Sequence, residues 1–479
     1  MKITRFVLSD YHQFRYLNIN LTYPKEHVKA GQPLDKVCFI GKNGTGKTTI
    51  LKTIKQFLLI FELNALHQGL LEDSHEPTQF CFEVEYKNKK FLFGKFILFL
   101  PNAETRIRAN VQVLERSFYE QIPDFFENVF VKKDSNLIQK IFEESRKPDH
   151  VASDAIIRNE IKAKLSRESL LVYAPTEYNI NKSGSEIYSL TDLNEGLKFG
   201  NALPYYHEIS FDYLKNFWSL LIYQVQLRER ERNEFENTKD NRKRTKEELI
   251  EIFEKEHPEI LKIIAKKWDI ILGQVGLYLD AENAKKPIVL TDQLIAYIKD
   301  KKNHKNIPFG ALSSGIKNLI YSLGYLTSLY FNRSIKSSTV IFDEPEFSLF
   351  PDILLKLIDF YTNPKDFPNT QFFFATHSPL IASQFEPEER VCLHFDDERK
   401  VYSTTGIAPL GDDSSDLLLK DFGLEEVMPA YGVSMWKKYL ELKRKIDKEP
   451  NPDKIKNILK EFADLRQDYN FPDLYEPNK

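Results

Sequence analysis

Two adjacent acids close an apolar run, Thr339-Val340-Ile341-Phe342-Asp343-Glu344, a pairing that could serve a metal ion and an attacking water. Far upstream stands Gly41-Lys42-Asn43-Gly44-Thr45-Gly46-Lys47-Thr48, a match to GxxxxGK[ST], with Thr49 behind it. Glycines there let the backbone curl until successive N–H groups point inward around an anion. A helix beginning at that point adds its positive end. Lys47 would neutralise the β- and γ-phosphates of ATP as a point charge, and the Thr48 hydroxyl would ligate Mg²⁺. Asp343 would hold the same Mg²⁺ through water, while Glu344 would face the γ-phosphate and polarise the attacking water. On their own, two acids before Pro345 read as the N-terminus of a helix. The phosphate-loop pattern decides for the catalytic reading.

Two further stretches complete the set. Gln371-Phe372-Phe373-Phe374-Ala375-Thr376-His377-Ser378 is an apolar strand ending in a histidine. A side chain at the C-terminal edge of a parallel sheet faces the ligand crevice, so His377 suits a γ-phosphate sensor. A structural histidine is the plainer alternative. Leu312-Ser313-Ser314-Gly315 opens a helix expected from Ile316 to about Tyr330. Capping by serine would be reason enough for these residues. A free helix N-terminus with a serine hydroxyl can also bind a γ-phosphate, which makes Ser313, Ser314 and Gly315 candidates.

These residues need a parallel sheet to bring them together, and the chain supplies the elements. Lys36 to Ile40 is the strand feeding the phosphate loop, and Thr48 to Leu59 the helix leaving it. Gln79 to Tyr86 and Lys90 to Leu100 alternate as a β-hairpin, and Ser169 to Ala174 is a buried strand. Residues 115–168 read as mostly helical and charged. The expected class is α/β: a P-loop head with a mixed sheet, built from residues 1–210 and 306–412. Residues 211–305 would be a helical insertion, an antiparallel hairpin with its polar tip near Asn237 to Asn241. The plainer account of the charge run there, from Arg228 to Glu248, is a solvated helix face or a disordered tip, and it stays open beside the hairpin. Residues 413–479 would form a docked helical hairpin, with Trp436, Tyr439, Leu440 and Ile446 on one stripe. Ile455, Ile458, Leu459, Phe462 and Leu465 form the other.

Composition bounds the rest. The formal net charge of the 479 residues is -3, so any nucleic-acid contact must come from a local patch. Three cysteines, Cys38, Cys81 and Cys392, sit in strand-like runs without metal-ligand spacing, which fits reduced thiols and a cytoplasmic protein. No apolar stretch is long enough to span a bilayer, so no membrane contact is expected.

The order of the four motifs resembles that of ABC-type ATPases of the SMC, RecF and OLD superfamily. Asp343-Glu344-Pro345-Glu346, Ala375-Thr376-His377-Ser378-Pro379 and His12-Gln13-Phe14-Arg15 are similar to the RecF- and OLD-like branch. The resemblance covers roughly residues 1–110 and 306–405. It implies that the Ser313 helix lies away from its own phosphate loop and meets ATP only when a second head docks inverted. A homodimer or higher homo-oligomer through the ATP sites would follow. The family's Mg²⁺-sensing glutamine has Gln79 as its candidate here. The chain departs from relatives at Ser314 and Ile316, where transporter heads carry glycine and glutamine, and at Phe347-Ser348-Leu349-Phe350, where many relatives have histidines.

OLD-like nucleases continue into a Toprim domain; here Asp396-Asp397-Glu398 and Asp412-Asp413 read as turns, so a nuclease would be a separate polypeptide. The style is that of the ATPase subunits of phage-defence systems such as Septu and PARIS. That implies nucleotide-gated head dimerisation and a separate nuclease-like or toxin effector in antiviral defence. Two alternatives stay open. One is a RecF-like DNA-repair ATPase, touching DNA through Lys239, Arg242, Lys243, Arg244 and Lys246. The other is a nucleotide-stabilised scaffold with negligible turnover. All three readings require Lys47: calorimetry on Lys47→Ala should show ATP binding abolished, and unchanged affinity would overturn the phosphate-loop assignment.

Overall fold

A computed structural model describes residues 1–63, 79–86, 89–95, 97–98, 107–108, 112–145, 147–148, 169–176, 205–209, 228–238, 241, 244–257, 259–280, 298–307, 311–331, 335–448, 450–469 and 471. The first part of the chain forms strands β1 (Lys2–Tyr11), β2 (Phe14–Asn20) and β3 (Lys36–Gly41), then helix α1 (Lys47–Leu63). Strands β4 (Gln79–Tyr86), β5 (Lys89–Lys95), β6 (Ile97–Leu98), β7 (Ile107–Arg108) and β8 (Gln112–Glu115) come next. Helices α2 (Arg116–Tyr119), α3 (Phe125–Phe130) and α4 (Ser135–Ser145) lead towards strands β9 (Ser169–Ala174) and β10 (Tyr206–Glu208). Beyond them lie helices α5 (Lys246–Glu256) and α6 (Ile260–Gln274), strands β11 (Leu277–Leu279) and β12 (Ile298–Asp300), and helix α7 (Ser314–Tyr330). The last part holds β13 (Ser337–Asp343), α8 (Pro351–Thr362), β14 (Thr370–Ala375), α9 (Pro379–Ala382), β15 (Arg390–Phe395), β16 (Val401–Thr405) and helices α10 (Ser414–Lys420), α11 (Ala430–Lys448) and α12 (Pro452–Tyr469).

The central sheet has the order β10-β9-β13-β14-β3-β15-β16 and is parallel except for the β15–β16 pair. Its inner strands are apolar almost throughout because both faces are covered. Successive side chains point to opposite faces. Val37, Phe39, Tyr173, Ile341, Phe373 and Leu393 meet Ile50, Ile54 and Phe57 of α1 on one side. The same core takes in Phe6, Phe82 and Phe93 of the antiparallel sheet β2-β1-β4-β5-β8. On the other side, Ile40, Val172, Val340, Phe342 and Phe374 meet Leu319 and Leu323 of α7 and Leu357 of α8. The outer face of the antiparallel sheet, through Val7, Cys81 and Leu92, is covered by α3 and α4.

A helical stretch over residues 228–236 pairs with α5: the Phe235 and Phe253 rings lie 5.5 Å apart, and Arg228 Nε donates to the His257 carbonyl at 3.0 Å. A capping box of Thr245 and Glu248 starts α5. Helix α6 does not prolong this hairpin. Its Trp268 is fully buried in the central core with the α7 side chains. Residues 151–168 and 211–227, and Lys239, Arg242 and Lys243 of the basic patch, lie outside the described residues. The α11 and α12 stripes pack on each other, with Tyr439 stacked on Phe462 at 4.5 Å; Leu459 is exposed instead. Among the described residues, no helix is long and apolar enough to cross a membrane.

One buried ion pair fastens the end of the sheet. Arg390 on β15 and Asp421 after α10 are both wholly buried, with Nε 2.9 Å from Oδ2. Arg390 Nη1 donates to the Phe385 carbonyl at 2.9 Å, and its Nη2 to the Ala408 carbonyl. Asp421 Oδ1 accepts from the Ile407 N–H at 2.7 Å. Removing one partner leaves the other charge uncompensated. Asp421→Ala should therefore lower the unfolding free energy by about 3–5 kcal/mol. Denaturant titration would check this, and a midpoint unchanged from wild type would contradict it.

Candidate nucleotide site

The sheet register assembles the site. Asp343 of β13 lies beside Ala375 of β14, and Ala375 lies beside Phe39 of β3. β13 and β14 therefore end level, β3 runs two residues further to Gly41, and the loops that leave the three strands open at the same end of the sheet. After β3 comes the phosphate loop, whose glycines hold backbone shapes that side chains would obstruct. Gly41 has φ +150°, and a Cβ there would fall 2.5 Å from the Leu393 carbonyl oxygen. Gly46 has φ +88°, and its Cβ would fall 2.1 Å from Gln13 Nε2 and 2.4 Å from Phe14 Cζ. Thr45 Oγ1 donates to the Lys42 carbonyl at 2.8 Å, while Lys42, Asn43 and Gly44 face solvent.

Lys47 is buried at the start of α1, and its ammonium donates to the Gly41 carbonyl at 2.9 Å. Burial pushes its pKa down to about 8, against the pull of Glu344, Asp343 and Glu346. Thr48 Oγ1 donates to Asp343 Oδ1 at 3.1 Å. Burial raises the Asp343 pKa, and the Thr48 bond opposes that shift. A hydroxyl and a carboxylate at this spacing are hard oxygen donors, the kind Mg²⁺ takes one or two of beside phosphate and water. Among the described residues, no group of three or more His, Cys, Asp or Glu could cage a metal. Thr49 lies one turn before Thr53, whose hydroxyl bonds its carbonyl at 2.8 Å.

Glu344 is held in the left-handed region, at φ +51°, and its N–H donates to the Ala375 carbonyl at 2.8 Å. Such a conformation in a non-glycine residue costs on the order of 1–3 kcal/mol and persists only where its surroundings enforce it. Its Oε1 lies 3.3 Å from His377 Nε2. Burial, and then Lys47, lower the His377 pKa, and the nearby Glu344 opposes that shift.

The Ser313 helix packs on the loop that follows the two acids. Ser313 caps α7 and accepts from the Ile316 N–H at 3.4 Å. Ser314 is the first residue of that helix. Gly315 is buried against the loop after the two acids, where a Cβ would fall 2.0 Å from the Ser348 carbonyl oxygen. Among the described residues, no hydrogen bond or ion pair joins residues 313–315 to residues 41–49. Gln79 opens β4 opposite Ser9 of β1.

Two residues near the loop belong to none of the motifs' expected roles. Gln13 Nε2 donates to the Gly44 carbonyl at 3.2 Å, from the β1–β2 turn. Glu346 accepts from Thr376 Oγ1 at 2.6 Å and from the His377 N–H at 2.9 Å.

Residues 1–382 match the AAA ATPase domain family. The chain belongs to that family. A relative named "Retron Vc95 probable ATPase", from Vibrio cholerae serotype O1 biovar El Tor, is 23% identical over 438 residues, 85% of this chain and 78% of the relative. Two solved structures are also similar. An SMC head bound to the C-winged helix domain of ScpA is 11% identical with a TM-score of 0.37, covering 85% of this chain and 98% of that one. The SMC head domain from Thermotoga maritima is 10% identical with a TM-score of 0.38, covering 85% and 100%.

Proposed function

We propose that this AAA family ATPase binds ATP with Mg²⁺ at residues 41–49 and hydrolyses it in a site completed by a second copy of the chain. The observation that carries the reading is the convergence of Lys47, Thr48, Asp343, Glu344 and His377 at the C-terminal ends of three neighbouring parallel strands. Lys47 would exchange its loop carbonyls for the β- and γ-phosphate oxygens, whose charge would restore its full protonation. Thr48 and Asp343 would hold Mg²⁺, which when bound neutralises charge between the β- and γ-phosphates. Glu344 would accept a proton from the attacking water, and His377 would contact the γ-phosphate and keep Glu344 aligned. Loop N–H groups and the α1 N-terminus would carry the remaining phosphate charge.

The Ser313 helix is the missing wall. Its capped N-terminus is exposed at Ser313, and no hydrogen bond or ion pair among the described residues joins it to its own phosphate loop, which supports a role across a dimer interface. Two ATP molecules would then be held between inverted heads, and nucleotide would gate their engagement. The relative named for a retron supports carrying the reading one step further, to an ATPase subunit acting with a separate effector protein.

Mixing two inactive proteins tests the shared site. Ser313→Arg puts a bulky cation where the opposing γ-phosphate would sit, and should block turnover while leaving ATP binding to a single head intact. Lys47→Ala removes binding. In a mixed dimer both lesions fall in one site, and the other site keeps an intact loop and an intact opposing serine. Partial recovery of ATP turnover is expected on mixing. No recovery at any ratio, with mixed dimers shown to form, would count against a pair of independent composite sites.

A further inference from the structure

Glu346 has no part in the roles above, yet its carboxylate reaches from the loop that carries Glu344 to the turn that carries His377. Glu344 belongs to the loop after β13, and His377 to the loop after β14. The backbone of Glu344 is anchored to β14 by the bond from its N–H to the Ala375 carbonyl. Beyond Ala375 the Thr376 N–H still donates to the Phe39 carbonyl of β3 at 3.1 Å, and the position of His377 then depends on what else grips that turn. Glu346 grips it twice through one oxygen. Oε1 accepts from the Thr376 hydroxyl and from the His377 N–H, and Thr376 Oγ1 in turn accepts from the Ser378 N–H at 2.9 Å.

The Glu346 loop is itself fixed. The Phe347 N–H donates to the Glu344 carbonyl at 3.2 Å, and the Leu349 N–H to the Glu346 carbonyl at 3.0 Å. Glu346 Oε2 is buried without a hydrogen-bond partner among the described residues. A buried carboxylate with one oxygen unsatisfied is costly to keep, so the bonds made by the other oxygen must compensate. They do so where the turn that carries His377 meets the loop that carries Glu344.

We propose that Glu346 is a positioning residue: its carboxylate clamps the Thr376–His377 turn to the loop that carries Glu344, and so holds the imidazole and the water-polarising carboxylate in register for hydrolysis. The proposal rests on the reading that Glu344 and His377 serve ATP hydrolysis. It assigns Glu346 no contact with nucleotide. Losing the clamp should therefore slow turnover and leave nucleotide affinity in place. A misplacement of about 1 Å in a reacting group can cost on the order of 100-fold in rate.

The test compares ATP turnover, KM and melting midpoint for wild type, Glu346→Gln, Glu346→Ala, His377→Ala and the Glu346→Ala/His377→Ala double variant. Glu346→Gln keeps an amide oxygen able to accept both bonds and should stay close to wild type. Glu346→Ala should lower kcat by about 10–100-fold with KM and melting midpoint little changed. The double variant should be no slower than the slower single variant, because both lesions damage one unit. Wild-type kcat in Glu346→Ala would overturn the proposal. So would a loss confined to KM or to the melting midpoint, or multiplicative losses in the double variant. If His377→Ala itself turned over normally, the hydrolytic reading beneath the proposal would fall and the proposal with it. A slow His377→Ala beside a normal Glu346→Ala would remove Glu346 alone.

Discussion

Everything in the site hangs on the parallel pairing of β13, β14 and β3. Backbone hydrogen bonds place Asp343, Ala375 and Phe39 side by side, although they come from three distant parts of the chain. A slip of one residue in any of these strands would turn its core side chains to the wrong face. It would also move the phosphate loop, the acids or His377 out of the crevice. Burial on both faces enforces the register. Phe373 packs towards α1 and the antiparallel sheet, while Phe372 and Phe374 pack towards α7 and α8. The chemistry is thus positioned by the same apolar alternation that builds the core.

Within that frame, charge is concentrated and kept from water. Lys47 sits among Asp343, Glu344 and Glu346, with its ammonium satisfied by loop carbonyls. Burial lowers the pKa of the lysine and raises those of Asp343 and Glu346, so each group is tuned away from its usual charge. A site with such tension is ready for a ligand that brings several negative charges and a divalent cation together. The left-handed backbone at Glu344 belongs to the same picture. Its N–H bond to β14 holds the acid in a shape that an unrestrained chain before Pro345 would leave.

How much of this is legible in the sequence depends on the range of each interaction. The phosphate loop is local: glycines, lysine and threonine within eight residues state their own geometry. Strands β9, β13 and β14 announce themselves as short apolar runs, and their parallel pairing is consistent with burial on both faces. The roles of Glu346 and Gln13 are not legible. Their partners lie 30 and 31 residues away, and nothing in an acid or an amide says which distant carbonyl or N–H it will meet. Helix α6 is ambiguous for a related reason. An apolar stripe shows that a face is buried, but not whether a hairpin partner or the central core buries it. Trp268 goes to the core. The α11 and α12 stripes, which could equally dock on the head, instead satisfy one another.

The central claim is that Glu344 polarises the water in an ATP site built on Lys47. Glu344→Gln keeps the shape of the side chain and loses its ability to take a proton. Parallel measurement of ATP affinity and single-turnover hydrolysis on this variant tests the claim most directly. The account predicts ATP bound as in wild type and hydrolysis slowed on the order of 100-fold or more, so that the ATP-bound form accumulates. Hydrolysis at the wild-type rate, with ATP bound normally, would contradict it.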